Sequence, residues 1–336
     1  MGSTIKDIAR DTNLSLATIS KYLNGKNILP ENKIKIEESI ERLGYTPNQT
    51  AQNLRSKKTN TICIFLPVLG EYFWGSLCSF IEEYMRKINY STIISSYDQH
   101  SDNNEAELNL VLSKQIDGVI LLCDLYKKSN LPMLLRNHEI PFVCLDQPVD
   151  NMSADFVTSD NRSGAYLATK YLIDNGHNIL GVITGTPSSY TASERLNGFL
   201  DACNEYAIPE INRYIYDGDF SSQKSAECFR KMMNQKPSPS AVLICSYYMT
   251  LGAILTLNDL GLQIPEDFSL ISFDDNQIFT AFNPPISTVT QNLTEIALYA
   301  SQLLIKRING NYDSFPESKM VDTNFIIRKS VKTLNI

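Results

Sequence analysis

The sequence holds no CxxC pair, no HExxH, no GxGxxG, no GxxxxGK(S/T) and no GxSxG. Zinc ligation, phosphate cradling by a glycine-rich turn and a serine nucleophile on a strand-to-helix elbow therefore have no anchor, and an enzyme is not expected. Histidine is sparse, three in 336 residues, and none of the seven cysteines (Cys63, Cys78, Cys123, Cys144, Cys203, Cys228, Cys245) lies beside one. Their number is odd and most sit in apolar runs such as TICIFLP and AVLIC, the pattern of reduced, packed thiols. Neither a metal nor a cofactor is expected. Every apolar run falls short of the roughly 18 residues that span a bilayer. The opening MGSTIKDIAR reaches Lys6, Asp7 and Arg10 before the apolar stretch of a leader can form. No membrane partner is expected, and a cytoplasmic protein is.

What is present fits an ordinary globular chain: 43% hydrophobic and 20% charged residues, in a length with room for two or three domains. The net charge of -7 is unevenly spread. Residues 1–60 carry ten Lys and Arg against six acids, a surplus of +4, so the remainder carries -11. A basic head on an acidic body points to a polyanion met by the head alone.

The head reads as three short helices. Thr4 and Asp7 bracket the start of one at Ile5, as a capping box does. It ends near Asp11, with Asn13 at a sharp turn where a left-handed conformation is tolerated. Ser15 caps a second, Leu16 to Leu23, whose inward face is Ile19 and Leu23. The third opens at Pro30, carries Ile36, Ser39, Ile40 and Leu43 on one face and is closed by Gly44. The outer face of the second offers Leu16, Ala17, Thr18, Ser20, Lys21 and Asn24, small or hydrogen-bonding groups with one cation and no acid. A helix-turn-helix gives that face a purpose; a helical bundle for protein contacts is the alternative. Next comes the polar TPNQTAQNLRSKKTN, with one short helical possibility over 48–54, too short to be stable alone. From Thr61 onward, strand-like runs (TICIFLP, STIISSY, DGVILL, PFVCLD, ILGVIT, AVLICS, FSLISF) alternate with helical stretches. That alternation predicts parallel sheets with helices on both faces.

TIKDIA, LSLATISKYLNG, ERLGYTPNQTAQNL, DGVILL, VTSDNRSGAYLATKYLIDNGH, ERLNGF, GDFSSQKS, LISFDDN, PPISTVTQ and FIIRKS occur in this order along the whole chain. Together they resemble the LacI/GalR transcriptional regulators, whose core resembles type 1 periplasmic sugar-binding proteins. LAT at the start of the second helix and RLGYTPN resemble the catabolite-control branch. The resemblance implies an α/β core of two parallel-sheet subdomains with a small all-α helix-turn-helix head. It implies a head at 1–45, a hinge at 46–60 and a core at 61–336, with one subdomain near 61–157 plus 288–319 and the other near 158–287 plus 320–336. Chain crossings are expected near Val157, Ile286 to Val289 and Met320.

Members of the family dimerise and place the second helix of each head in the major groove of a pseudo-palindromic operator. The expected DNA-binding residues are thus Ser15, Leu16, Ala17, Thr18, Ser20, Lys21, Asn24, Tyr45, Asn48, Ala51 and Leu54. Leu16 and Ala17 match the family's specificity pair; being apolar, they suit thymine methyl groups. Lys21 can touch a base or a phosphate. Leu54 matches the leucine that wedges into the minor groove, Ala51 the small residue beside it; a core role for Leu54 is the alternative. Gln52 stands where many members carry Arg.

For the core, the resemblance implies a small effector, usually a sugar or nucleotide derivative, between the subdomains. Arg195 and Asp274 match a hydroxyl-binding pair, Phe220 and Phe73 match aromatic platforms, and Asp146 ends a strand in the same way. A helix cap for Asp274 and a structural ion pair for Arg195 remain open. Where relatives carry Asn-Asp after AVLIC, this chain has Ser246 and Tyr247, then Tyr248, which points to a different ligand or none. His177, after Gly176, reads as structural. The helix expected from Thr294 to Lys306 resembles the partner-binding helix of the catabolite-control branch, yet has Ser301 and Gln302 where an arginine would grip a phosphoserine. FIIRKSVKTLNI shows no heptads, so a coiled-coil tetramer is not expected. A dimeric, effector-controlled repressor is the leading expectation; a phosphoprotein-driven regulator and a sugar receptor without DNA function are the rivals.

Overall fold

A computed structural model describes residues 3–23, 26–45, 58–97, 104–122, 129–149 and 151–334. The chain divides into two units, Met1–Thr59 and Asn60–Ile336.

In the first unit, α1 (Ile5–Thr12), α2 (Leu16–Leu23) and α3 (Pro30–Leu43) form where the local signals put them. The Asp7 carboxylate accepts from the Thr4 amide (2.9 Å) and hydroxyl (2.7 Å), Asn13 turns left-handed at φ 53, and Gly44 does so at φ 57. Ile8, Ile19 and Ile36 are fully buried, one from each helix, with Leu23, Ile40, Leu43 and Tyr45 packed around them. One polar tie reinforces this small core. Buried Ser39 donates to Asp11 at 2.6 Å, and Arg42 pairs with the same carboxylate. Both hydrogen bonds, Ser39's first, hold the Asp11 carboxyl below its usual range.

The second unit begins with β1 (Thr61–Leu66), α4 (Tyr72–Lys87), β2 (Ser91–Ser96), α5 (Glu105–Ser113), β3 (Gly118–Leu122), α6 (Leu131–Asn137), β4 (Phe142–Leu145) and β5 (Asp155–Ser159). There follow α7 (Asn161–Asp174), β6 (Leu180–Thr184), α8 (Tyr190–Glu205), β7 (Arg213–Asp217), α9 (Ser222–Met233), β8 (Ala241–Ile244), α10 (Tyr247–Leu260), β9 (Ser269–Phe273), α11 (Gln277–Ala281) and β10 (Ser287–Gln291). The chain closes with α12 (Leu293–Ile308), β11 (Ser318–Val321) and β12 (Thr323–Ile326).

Two six-stranded sheets result, with orders β11-β5-β4-β3-β1-β2 and β12-β10-β9-β8-β6-β7. All neighbours are parallel except β10 and β12. Strands buried on both faces explain the near-continuous apolar runs. In each sheet the order reverses beside its first strand, which opens a crevice at the carboxyl ends of the strands.

The chain passes between sheets at three places, each a few residues later than expected. After β5 it crosses at Asp160, which caps α7 by accepting from Ser163 N at 3.0 Å. After β10 it crosses at Asn292, which caps α12 through Glu295 N at 3.2 Å. Between β11 and β12 it crosses at Asp322. The expected borders at 157/158, 287/288 and 319/320 are therefore corrected: Thr288–Gln291 pair within the second sheet, and Thr158, Ser159, Met320 and Val321 within the first. At the first two crossings a helix cap, rather than the end of an apolar run, marks the place. Past Asn292, α12 returns to the first sheet, where Ile296, Ala300 and Leu304 join Ile62, Ile64 and Val143 in one core. Gly118 admits it: a Cβ there would stand 2.9 Å from Leu304 and Ile308.

The six cysteines among the described residues are all buried. Burial pushes the thiols of Cys63 and Cys245 up to about 12 and those of Cys78 and Cys203 to about 11, which leaves them un-ionised and inert. Among the described residues no helix is long and apolar enough to cross a membrane, and no group of three or more potential ligands is placed to hold a metal ion.

One ion cluster ties the end of α12 to the first sheet. Arg307, 2% exposed, donates from Nε and Nη2 to fully buried Asp155 at 2.6 and 2.9 Å, and from Nη2 to Glu317 at 2.7 Å. Arg307→Ala, which strands Asp155, should cost about 3–5 kcal/mol in urea unfolding. The Lys306 ammonium, with Ser314 and Arg307, draws the Glu317 carboxyl from 4.5 down to about 2. A carboxyl whose value is lower in the folded chain stabilises it fully above the unfolded value and ceases to as it is protonated. Stability should therefore fall between about pH 4.5 and about 2, and Glu317→Gln should flatten that part of the acid-unfolding profile.

Candidate functional site

In the head, burial of Ile19 turns the opposite side of α2 outward. Ser15, Leu16, Ala17 and Lys21 are exposed, with Thr18 and Ser20 half-buried. Leu16 keeps 46% of its surface exposed, a large apolar side chain at the first position of a short helix with no fold-internal reason to be there. Ser15 is committed as a cap, accepting from Thr18 N at 3.2 Å. Tyr45 is half-buried in the head's own core. Asn24, Asn48, Ala51 and Leu54 lie outside the described residues, as do residues 46–57 of the expected hinge.

In the core unit, the carboxyl ends of the strands of both sheets face one cavity of about 770 Å³, its mouth included. Phe73, Asp146, Arg195, Phe220, Ser246, Tyr247 and Asp274, singled out from separate stretches of sequence, all line it. Strand ends bring them there: Asp146 follows β4 at φ 69 and Asp274 follows β9 at φ 70, left-handed turns that end each strand at the cleft.

Arg195 is 3% exposed. Its Nε donates to Asn161 Oδ1 at 2.8 Å, its Nη1 to the Cys245 carbonyl at 2.7 Å, and its guanidinium lies 3.9 Å from the centre of the Phe273 ring. Asp274 Oδ2 stands 3.9 Å from Nη1, close enough for charge pairing and too far for a direct hydrogen bond. Asp274 Oδ1 accepts from Gln291 Nε2 at 2.6 Å. Asp274 is thus no helix cap; Asn276 caps α11 instead. Phe220 packs closely against Gly185, where a Cβ would meet the ring at 2.2 Å.

The three residues after β8 behave differently from one another. Ser246 is buried and caps α10 through Met249 N at 3.3 Å. Tyr247 makes tilted or edge-on ring contacts with Tyr72 of the other subdomain (centroids 5.9 Å), Tyr248 (5.0 Å) and Phe279 (5.4 Å). The Tyr248 hydroxyl donates to the Gly70 carbonyl across the cleft at 3.2 Å. Two of these contacts, Tyr247 with Tyr72 and Tyr248 with Gly70, join the subdomains.

Sequence reasoning missed Trp74, Glu71, Gln147, Ser189, Thr191 and Gln291, which also line the cavity. Gln291 ends β10 and Gln147 follows β4, so the rule that sites lie beyond strand ends had marked their neighbourhood. Trp74, the single tryptophan, sits one residue past the predicted Phe73. His177 is structural: buried, with Nδ1 2.9 Å from Ser240 Oγ and Nε2 3.1 Å from the Lys332 carbonyl, and burial lowers its proton affinity. On α12, Ser301 is fully buried and Gln302 exposed.

Residues 4–48 match the model of bacterial regulatory proteins, lacI family, and residues 169–331 match a periplasmic binding protein-like domain. The HTH-type transcriptional repressor PurR of Pasteurella multocida (strain Pm70) is 30% identical over 332 residues, 98% of this chain and 99% of that one. The chain belongs to the lacI family. Catabolite control protein A of Priestia megaterium is 32% identical over 311 residues, 92% of this chain and 93% of its own. In fold, the chain is similar to the Lac repressor dimer bound to operator and the anti-inducer ONPF, with a TM-score of 0.85 at 21% identity over 99% and 100% of the two chains. It is also similar to the transcriptional regulator CelR in its cellobiose complex, with a TM-score of 0.74 at 23% identity over 98% and 99%. As a lacI family member the chain is a DNA-binding transcriptional regulator and not an enzyme.

Arg195→Ala would leave Asn161 and the Cys245 carbonyl unpartnered in a buried site. We expect it to lower the unfolding free energy by about 1–3 kcal/mol, the usual cost of stranding buried polar groups, in denaturant titration.

Proposed function

We propose that this protein is a cytoplasmic homodimeric repressor that binds a pseudo-palindromic operator through α2 of each head and the following hinge, and whose DNA occupancy is set by a small, sugar-like effector in the cavity between its core subdomains. The observation that carries the effector half is the meeting of Arg195 and Asp274 with Phe73 and Phe220 around one cavity. A sugar presents hydroxyls, which need polar partners in a desolvated site, and C–H faces, which favour aromatic platforms. Tyr247, in place of a hydroxyl-fixing side chain, adds platform at the expense of polarity. The repressor half is supported by the names of the PurR relatives and by the exposed Leu16, Ala17 and Lys21 on an acid-free helix. Complexes of similar fold with operator DNA, cellobiose and ribose support both halves.

A phosphoprotein partner on α12, suggested by the likeness to catabolite control protein A, finds little to hold. Arg307 is buried against Asp155, and Lys306 pairs with Glu317 at 2.7 Å. A transport receptor without DNA function is disfavoured by the match of residues 4–48 to the regulatory family.

DNA affinity, followed by gel shift on genomic fragments, should fall steeply with salt, and Lys21→Ala should weaken it. Weakening at all sequences alike marks a phosphate contact, and weakening that depends on sequence marks a base contact. Insensitivity to salt would remove the electrostatic basis for the head's role. Asp274→Ala should reduce effector affinity by about 1–3 kcal/mol in calorimetry while operator binding without effector stays near normal. Undiminished sugar binding by that variant would take Asp274 out of the site.

A further inference from the structure

Asp274 and Arg195, the charged pair of the cavity, are each bonded directly to a residue at a chain crossing. Arg195 Nε donates to Asn161, the first residue of α7 after the crossing at Asp160. Asp274 accepts from Gln291, the last residue before the crossing at Asn292. Gln291 Oε1 in turn accepts from Ser159 Oγ at 2.5 Å, and Ser159 is the last residue of β5 before the first crossing. The amide cannot be turned over without loss, because a carboxylate only accepts and so requires the NH₂ side; the amide oxygen must then face Ser159, whose hydroxyl donates. Asn161 Nδ2 completes the connection by donating to the Ser159 carbonyl at 3.0 Å, so that a run of hydrogen bonds leads from Arg195 to Asp274, whose ends are only ion-paired at 3.9 Å. The third crossing joins through Asp160 N to Val321 O (2.8 Å) and Thr323 Oγ1 to Asp160 O (3.3 Å).

We propose that Ser159 and Gln291 are positioning residues that transmit the position of the Asp274 carboxylate to the crossings between the subdomains. Ser159 is 1% exposed and does not line the cavity, so its role is through Gln291. A group bound between Asp274 and Arg195 has a 3.9 Å gap to bridge. Drawing Asp274 toward that group pulls on Gln291 and, through Ser159, on the crossings at Asn292 and Asp160 alike, where a one-sided contact would move one subdomain's loop alone. The buried side chains of such a hydrogen-bonded run cannot relax separately without leaving a polar atom unpaired. The ligand-dependent part of this inference rests on reading the cavity as an effector site; the ligand-free part does not.

Ser159→Ala removes the donor and leaves every cavity residue in place; Ser159→Thr keeps the hydroxyl. In full-length, ligand-free protein, hydrogen exchange of peptides covering 158–163, 290–294 and 320–325 should quicken at least about fivefold in the Ala variant, return toward wild type in the Thr variant, and stay unchanged in β3. Wild-type exchange at the crossings of the Ala variant would overturn the proposal with no ligand needed. For the coupled step, glucose, galactose, ribose, cellobiose and lactose are titrated against the emission of Trp74, the single tryptophan and a cavity residue. A sugar that shifts this emission should slow exchange at the crossings of wild type. In Ser159→Ala it should bind with a midpoint within about fivefold yet leave the crossings unprotected, a separation of occupancy from transmission. Equal protection in both proteins would overturn the transmission. No response of Trp74 to any of the five would count against the effector reading, and the ligand-free comparison would still decide the positioning role.

Discussion

The hydrogen bond between Gln291 and Asp274 sits where two requirements meet. A left-handed turn after β9 puts a carboxylate at the floor of the cavity, and the adjacent strand β10 ends one residue before the chain leaves for the other sheet. Parallel strands end together at one edge, so a residue that closes a strand is at once a cavity residue and a neighbour of the crossing. The three crossings therefore share hydrogen bonds with one another and with the charged pair. The rest of the core is arranged about this point: two sheets covered by helices form the walls, and the three short crossings are the segments that join them.

Aromatic side chains shape the cleft from the other side. Tyr72, Tyr247 and Tyr248 bridge the two subdomains near the mouth, while Phe220 and Phe73 line the interior. A phenol spans more distance than an aspartate and brings an apolar face with it, so Tyr247 and Tyr248 offer surface contact more than directional recognition.

The head obeys a simpler logic. Its core is three isoleucines, one per helix, supported by a buried serine on Asp11, and a core so small leaves most of each helix surface free. Helix α2 spends Ile19 on the core and has its remaining faces for other uses. Of the basic residues that make up the surplus, Arg42 is tied to Asp11, while Lys21 stands exposed on α2, a cation on the face that a polyanion would meet.

Local signals alone determined the head. Thr4 with Asp7, Asn13, Ser15, Pro30 and Gly44 each act within a few residues, so their effects are legible without any distant partner; all three helices begin, and α1 and α3 end, where these residues direct. The alternation of apolar runs likewise gave away parallel sheets covered by helices, because burial on both faces leaves its mark on the central strands such as β1, β3, β6 and β8. Tertiary structure decided what depends on residues far apart in the chain. The crossings moved by two to five residues because Asp160 and Asn292 cap helices that pack on opposite sheets. Gln291 gained its place only when β10 was laid between β9 and β12. Trp74 and Tyr248 acquired a cavity to line or close, and Arg307 found Asp155, 152 positions away. No window of sequence contains such pairs, since the energy that joins them is released only when both are withdrawn from water into the same site.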